Sequence, residues 1–331
     1  MPSLKPLRVS QLVDGIRSND RSVLSRAITL AESTRAADRK KISQVLERLL
    51  PFTGQSIRIG ITGVPGVGKS TFIEVFGEYL AARGKKIGVL TVDPTSRQTK
   101  GSILGDKTRM ERLSRNPNVF IRPSPTGLAL GGVTLHTREA ILLCEAAGYD
   151  VILVETVGVG QSEIQVRGMV DFFLLLVLAG AGDELQGIKK GIMEMADGIV
   201  ITKADGLNIK AANQAKADAM QALHFQQGSA SGWKTKVLTA SALDGKGMDE
   251  VWAVIQEFER FTRPNGSFDE TRRAQRLEWL DECLEQNFRN LLNHPALTRS
   301  KTKLYRQVLN QQMLPAEAAD QLLGEVMKKR K

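Results

Sequence analysis

The chain runs to 331 residues, more than the roughly 150 expected of one domain, so a large α/β core with helical additions and a two-domain protein are both open. A composition of 42% hydrophobic, 25% charged and 5% aromatic residues is that of a folded globular chain and excludes a disordered one. The net charge of +10 does not mark a nucleic-acid face: residues 56–262 carry 23 Lys and Arg against 22 Asp and Glu, so the excess lies in the flanks, among apolar residues spaced as on solvated helices, and no nucleic-acid partner is expected.

In chain order, three helices are predicted first, Val9 to Ile16, Val23 to Leu30 and Ile42 to Leu50, separated by polar stretches. From residue 56 onward, short β-rich apolar runs alternate with longer helical patterns. The runs 57–62, 86–92, 119–123, 151–156, 172–178, 198–202 and 236–240 predict strands, several of them apolar at nearly every position, as strands covered on both faces must be. The alternation predicts βαβ units and a mostly parallel central sheet flanked by helices. After the breaker Arg263-Pro264-Asn265-Gly266-Ser267, helices are predicted near 268–292, 299–311 and 315–328.

The division that follows is an N-terminal helical extension over 1–55, an α/β domain over 56–262 and a C-terminal helical arm over 263–331. An isolated arm cannot bury its stripe of Leu277, Leu280, Leu284, Phe288 and Leu291, so it is expected to pack on the core or on a second subunit, and a homodimer is expected. Cys144 and Cys283 lie singly in apolar helical stretches and predict buried free thiols rather than a disulfide or a zinc site. No window reaches the ~18 consecutive apolar residues of a membrane span, and no apolar run near the N-terminus is long enough for a signal peptide, so a cytoplasmic protein without a membrane partner is expected.

The chemistry begins at Gly63-Val64-Pro65-Gly66-Val67-Gly68-Lys69-Ser70, a GxxxxGK[ST] loop that directly follows one predicted strand and opens a helix. Its glycines let successive N–H groups turn inward, and the helix N-terminus adds its positive end, which together make a nest for phosphate oxygens. Lys69 is expected to reach the β- and γ-phosphates, Ser70 to coordinate Mg²⁺ and Thr71 to touch the α-phosphate. These features make the fold expected of the chain that of an α/β P-loop NTPase with N- and C-terminal helical extensions.

A second acidic element is needed at the end of another core strand, and VILVETVGVGQ supplies it, with Glu155 followed three residues later by Gly158. The extra methylene of glutamate relative to aspartate suggests action through a metal-bound water. Gln161 lies six residues after Glu155, too far to equate automatically with a water-positioning glutamine. At the end of strand 198–202, Thr202-Lys203-Ala204-Asp205 resembles the [NT]KxD guanine-reading motif. Asp205 would accept from N1–H and the 2-amino group of guanine, neither of which adenine offers, and Lys203 would lay its methylenes along the base. Ser241 and Ala242 follow the last strand, like the loop whose backbone amide meets guanine O6 in G proteins.

The order and spacing of GVPGVGKST (63–71), VDPTS (92–96), GSILGDKTRM (101–110), ETVGVGQSE (155–163), LAGAGDELQGIKKG (178–191) and TKADG (202–206) resemble the MeaB/ArgK/MMAA family of SIMIBI-class GTPases over nearly the whole chain. By that resemblance Asp93 and Asp106 look like the family's Mg²⁺ and switch acids beside Glu155, and Lys69, Asp106, Glu155 and Gly158 form the catalytic set. The resemblance implies GTP and GDP as ligands, Mg²⁺ as cofactor and a cobalamin-dependent acyl-CoA mutase, such as methylmalonyl-CoA mutase, as the partner whose cobalamin loading or protection is gated. It also makes the loop 178–191 an additional switch, with Gln186, Lys189 and Lys190 as signalling side chains. Bland readings stand beside these: Asp93 as a turn residue before Pro94, and Asp106 as a helix N-cap.

No arginine finger is identifiable, so slow intrinsic turnover accelerated by the partner is expected. Other classes remain as alternatives: a metal-insertion maturation GTPase, although His136, His224 and His294 are scattered; a small-molecule P-loop kinase; a nucleotide-binding module without hydrolysis; and a protein kinase, for which neither an HRD-type loop nor a DFG is present.

Overall fold

The computed structural model of the chain describes residues 6–92, 110–123, 130–156, 162–178, 190–224 and 231–328. Seven strands, β1 (Ile57–Gly63), β2 (Ile87–Val92), β3 (Val119–Arg122), β4 (Val151–Thr156), β5 (Phe172–Leu178), β6 (Gly198–Thr202) and β7 (Lys236–Thr239), form one sheet in the order β3-β2-β4-β1-β5-β6-β7. Every neighbouring pair is parallel, in register from Ile87 beside Val119 at one edge of the sheet to Ile201 beside Thr239 at the other. The helices of the first part are α1 (Val9–Arg17), α2 (Arg21–Ala31), α3 (Ala36–Leu49), α4 (Lys69–Ala81), α5 (Glu111–Ser114), α6 (Leu130–Ala146), α7 (Ser162–Arg167), α8 (Lys190–Met195), α9 (Ile209–His224) and α10 (Met248–Thr262). They are followed by α11 (Ser267–Leu292), α12 (Thr298–Leu309) and α13 (Pro315–Lys328).

The near-continuous hydrophobicity of the strands is explained by cover on both faces. Ile57, Ile59 and Ile61 of β1 and Val151 and Leu153 of β4 enter a core shared with Phe72, Phe76 and Leu80 of α4 and with Trp252 and Ile255 of α10. The alternate residues Ile152 and Val154 of β4 point the other way, into a core built by α6 and by Leu12, Ile16, Leu24, Ile28, Ile42 and Leu49 of the N-terminal helices. Those helices are therefore a second layer laid on the sheet's own cover, with α2 and α3 packed on α6. Asp20 starts α2 by accepting the amides of Ser22 at 2.8 Å and Val23 at 3.1 Å, satisfying donors a helix end otherwise leaves bare. The Arg39 guanidinium pairs with Glu139 of α6 at 2.6 Å and ties α3 down.

The chain up to Gln275 forms one compact unit, and Arg276 onward forms a second. At the amino-terminal ends of β1 and β5, Arg272 at the base of α11 is 7% exposed and makes two parallel bonds to Asp171, both at 2.7 Å. Its remaining donors reach the carbonyls of Gly54 at 2.7 Å and Ser56 at 2.6 Å, and Asp171 also accepts the Arg58 amide at 2.8 Å. In the second unit Leu297, Leu304, Ala318 and Val326 are buried, whereas Leu277, Leu280, Leu284 and Phe288 of α11 stay at least half exposed. Cys144 is buried, and burial pushes its thiol well above the usual range. Cys283 is only half-buried, not buried as expected, because it lies on a part of α11 where Leu280 and Leu284 also stay more than half exposed. Among the described residues no helix is long and apolar enough to cross a membrane.

Candidate functional site

In a parallel sheet the carboxyl ends of the strands share one edge, and the loops leaving it are brought together. Gly63 ends β1, Val64 to Val67 turn, and Gly68 caps α4, so that Lys69, Ser70 and Thr71 occupy the first helical turn. The turn needs its glycines: Gly66 has φ +82° and Gly68 φ +95°, and a Cβ on Gly63 (φ +151°) would lie 2.5 Å from the Leu176 carbonyl of β5. Lys69 is only 8% exposed and folds back to donate to the carbonyls of Gly63 at 2.7 Å and Val64 at 3.1 Å. Burial draws its ammonium below the usual lysine value, while the carboxylates of Glu155 and Glu163 act in the opposite sense.

Glu155, next to last in β4, is 8% exposed and accepts a bond from the Ser70 hydroxyl at 2.8 Å. The two predicted metal-side residues are thus in direct contact although 85 positions separate them. Beneath them the Thr156 hydroxyl donates to that of Thr62 at 2.9 Å, joining β4 to β1. Asp93, Asp106, Gly158 and Gln161 lie outside the described residues, as do residues 179–189 of the loop 178–191, including Gln186 and Lys189.

Two strands along the sheet, Thr202 ends β6 and places its hydroxyl 3.0 Å from the Val67 carbonyl and 3.2 Å from that of Val177, bracing the phosphate-type loop against β5. Lys203 adopts φ +55°, a left-handed conformation costing a non-glycine residue about 1 kcal/mol or more, and its ammonium reaches over the loop to the Gly66 carbonyl at 3.2 Å. Asp205 is fixed by the Ser241 hydroxyl, which donates to its Oδ2 at 2.7 Å and accepts the Asp244 amide at 3.1 Å. The Ser241 amide is itself committed to the Lys246 carbonyl at 3.0 Å, so of this loop's two predicted residues Ser241 acts through its side chain.

These loops enclose a cavity of about 290 Å³ lined by Val67, Gly68, Thr71, Phe72, Thr202, Lys203, Asp205, Asn208, Ala240, Ala242 and Leu243. Phe72, Asn208 and Leu243 were not singled out from the sequence, and an isolated Asn or Leu between motifs gives no signal that could have found them. A larger cavity of about 860 Å³ lies at the opposite end of β6 and β7, around Arg167, Asp197, Trp233 and Lys236. It contains none of the predicted site residues, whereas the smaller cavity brings Val67, Gly68 and Thr71 of the phosphate loop together with Thr202, Lys203, Asp205 and Ala242. The geometry is that of a cleft with a cationic, amide-rich end beside Lys69 and an acceptor at the far end, Asp205.

The family model described as methylmalonyl-CoA mutase-associated GTPase MeaB matches residues 24–295 of the chain. GTPase ArgK of Escherichia coli is 45% identical over 301 residues, covering 91% of this chain and 90% of its own. A probable GTPase of Mycobacterium bovis is 48% identical over 320 residues (95% and 94% covered), and the mitochondrial methylmalonic aciduria type A homolog of Mus musculus is 44% identical over 326 residues (95% and 79%). Among solved structures, the LAO/AO transport system kinase matches with a TM-score of 0.75 at 37% identity, covering 96% of this chain and 97% of that one. With the P-loop on the carboxyl edge of a parallel sheet and these relatives along almost its full length, the chain belongs to the family of methylmalonyl-CoA mutase-associated GTPases and is a GTP hydrolase.

Proposed function

We propose that this GTPase binds GTP across the cleft from Lys69 to Asp205, hydrolyses it with Mg²⁺, and couples the nucleotide state to cobalamin loading or protection in a cobalamin-dependent acyl-CoA mutase. The observation that carries the reading is the convergence, at one sheet edge, of the buried Lys69, the Ser70–Glu155 pair and an Asp205 held by Ser241. Loading exchanges the Lys69 contacts with Gly63 and Val64 for phosphate oxygens, and the amides of the first turn of α4 complete the cradle. Asp205 reads the guanine edge, Lys203 covers the base, and the Ala242 amide meets O6. The donor set beside the phosphates is hard oxygen, the Ser70 hydroxyl and the Glu155 carboxylate, which fits Mg²⁺. Ser70 would hold the metal and Glu155 its water shell, with Asp93, Asp106 and Gly158 completing the switch side. Mg²⁺ supplies charge neutralisation on the β- and γ-phosphates.

Support for the mutase comes from the family's description and from the methylmalonic aciduria relative. The exposed stripe of α11 supports pairing of the C-terminal arm with a second copy, and the division into segments 1–55, 56–262 and 263–331 belongs to the same reading, as does a cytoplasmic location. The test is steady-state GTP hydrolysis by the purified chain, titrated with methylmalonyl-CoA mutase, beside transfer of adenosylcobalamin to the mutase under GTP and GDP. Slow turnover alone, stimulation by the mutase and nucleotide-dependent loading are expected. Fast turnover alone, or loading indifferent to nucleotide, would remove the coupling.

A further inference from the structure

Glu163 opens α7 and is 3% exposed. Its Oε2 is buried and meets no hydrogen-bond donor among the described residues. One turn later Val166 packs on β1, its Cγ1 lying 3.0 Å from where a Cβ on Gly60 would stand. Because α7 leads from the carboxyl end of β4 back to the start of β5, the same helix face carries Glu163 one turn closer to the carboxyl edge, where the phosphate cradle lies. The charge of Glu163 acts on the Lys69 ammonium, yet Lys69 gives its short bonds to Gly63 and Val64.

A buried carboxylate oxygen lacking a donor is unfavourable, so such a group points to a ligand that brings one. The phosphate end of a nucleotide carries acceptors only, and the donors of guanine belong at the other end of the cleft, by Asp205. The donor that loading delivers next to Glu163 is therefore water, from the metal's shell or in line with the γ-phosphate. We propose that Glu163 is a positioning residue whose carboxylate accepts a hydrogen bond from a water bound at the phosphate end of the site. This rests on the placement of the nucleotide argued above.

Glu163→Gln keeps the side chain's size and removes its charge. Three readouts on the full chain decide: the unfolding temperature in EDTA without nucleotide, GDP affinity in EDTA and in Mg²⁺, and the single-turnover rate at saturating GTP. The expected variant unfolds at an equal or higher temperature, because an unsatisfied charge is gone, and binds GDP in EDTA within about twofold of the parent. It loses about tenfold or more in one other readout, as expected for a charge-assisted bond. A fall in the Mg²⁺ enhancement of GDP affinity assigns the water to the metal, and a fall in the rate alone assigns it to the attacking position. Both within twofold of the parent, or joint loss of stability and EDTA affinity, would overturn the proposal. Glu163→Ala, measured identically, decides if the Gln variant does not fold. A Lys69→Ala chain that binds GDP like the parent would instead locate the nucleotide elsewhere and remove the reading on which the proposal stands.

Discussion

Arg272→Met removes the cation of a buried ion pair in the first unit. The guanidinium holds both oxygens of Asp171 at 2.7 Å and donates to the carbonyls of Gly54 and Ser56. Methionine retains much of the packing volume and none of the donors. Asp171, 4% exposed, is then left with the Arg58 amide at 2.8 Å as its remaining close partner, a buried carboxylate without its cation. Removing one partner of a buried pair costs about 3–5 kcal/mol, most of it the stranding of the other charge. For a unit of this size roughly 2 °C accompanies each kcal/mol, so the unfolding temperature should fall by roughly 6–10 °C. Calorimetry in EDTA, with urea denaturation followed by circular dichroism, measures both figures. The double variant Arg272→Met/Asp171→Asn removes the stranded charge while keeping an acceptor for Arg58, and it should regain about 2 kcal/mol or more over the single variant. A loss below about 1 kcal/mol for Arg272→Met, or a double variant as unstable as the sum of the singles, would refute the argument that the pair is held by mutual compensation of buried charge.

Asp197 offers a pH test: burial raises its carboxyl to about 6, against the opposing pull of Arg167 and the Phe173 amide. A folded value above the unfolded one gives stability that is full below about pH 4 and lost as pH rises through about 6, up to about 3 kcal/mol, so Asp197→Asn should gain on the parent across that window in chemical denaturation, and parallel curves would contradict the assignment. Gly63→Ala drives a Cβ to 2.5 Å from the Leu176 carbonyl and should cost about 1–3 kcal/mol while displacing the phosphate loop, read as a weakened GDP affinity by titration calorimetry. Asp205→Asn should weaken GTP by roughly 10–100-fold and shift preference towards xanthosine triphosphate, because an amide donates to the carbonyl that replaces the 2-amino group; retained GTP selectivity would remove the base-recognition argument.

The strand boundaries were legible to within a residue because the central strands are covered on both faces, so a run such as Phe172 to Leu178 is apolar from end to end and stops where the cover stops. The helix α3 starts at Ala36 rather than near Ile42, since its first turn is largely exposed and carries no apolar period to announce it. The phosphate loop was also legible, being a local object: its glycines, lysine and serine occupy eight consecutive positions whose conformation the next residues dictate. The family resemblance then supplied the biological context that no single motif carries.

Pairings across the chain are another matter. That the Ser70 hydroxyl would meet Glu155, that Ser241 would spend its amide on Lys246 and its hydroxyl on Asp205, and that Arg272 would lock onto Asp171 across 101 residues depend on which strands are neighbours. The order β3-β2-β4-β1-β5-β6-β7 is not written in any local period. Glu163 is the clearest case. In the sequence it is one more acid at the start of a short helix, where exposure is the rule, and only the packing of α7 against β1 turns it into a buried carboxylate whose charge acts on Lys69. Sequence by itself thus determined the elements, the phosphate and base motifs and the family, because these are properties of contiguous residues. Tertiary structure alone decided which charges are buried and who answers them, because burial and pairing are properties of neighbours that the chain brings together from far apart.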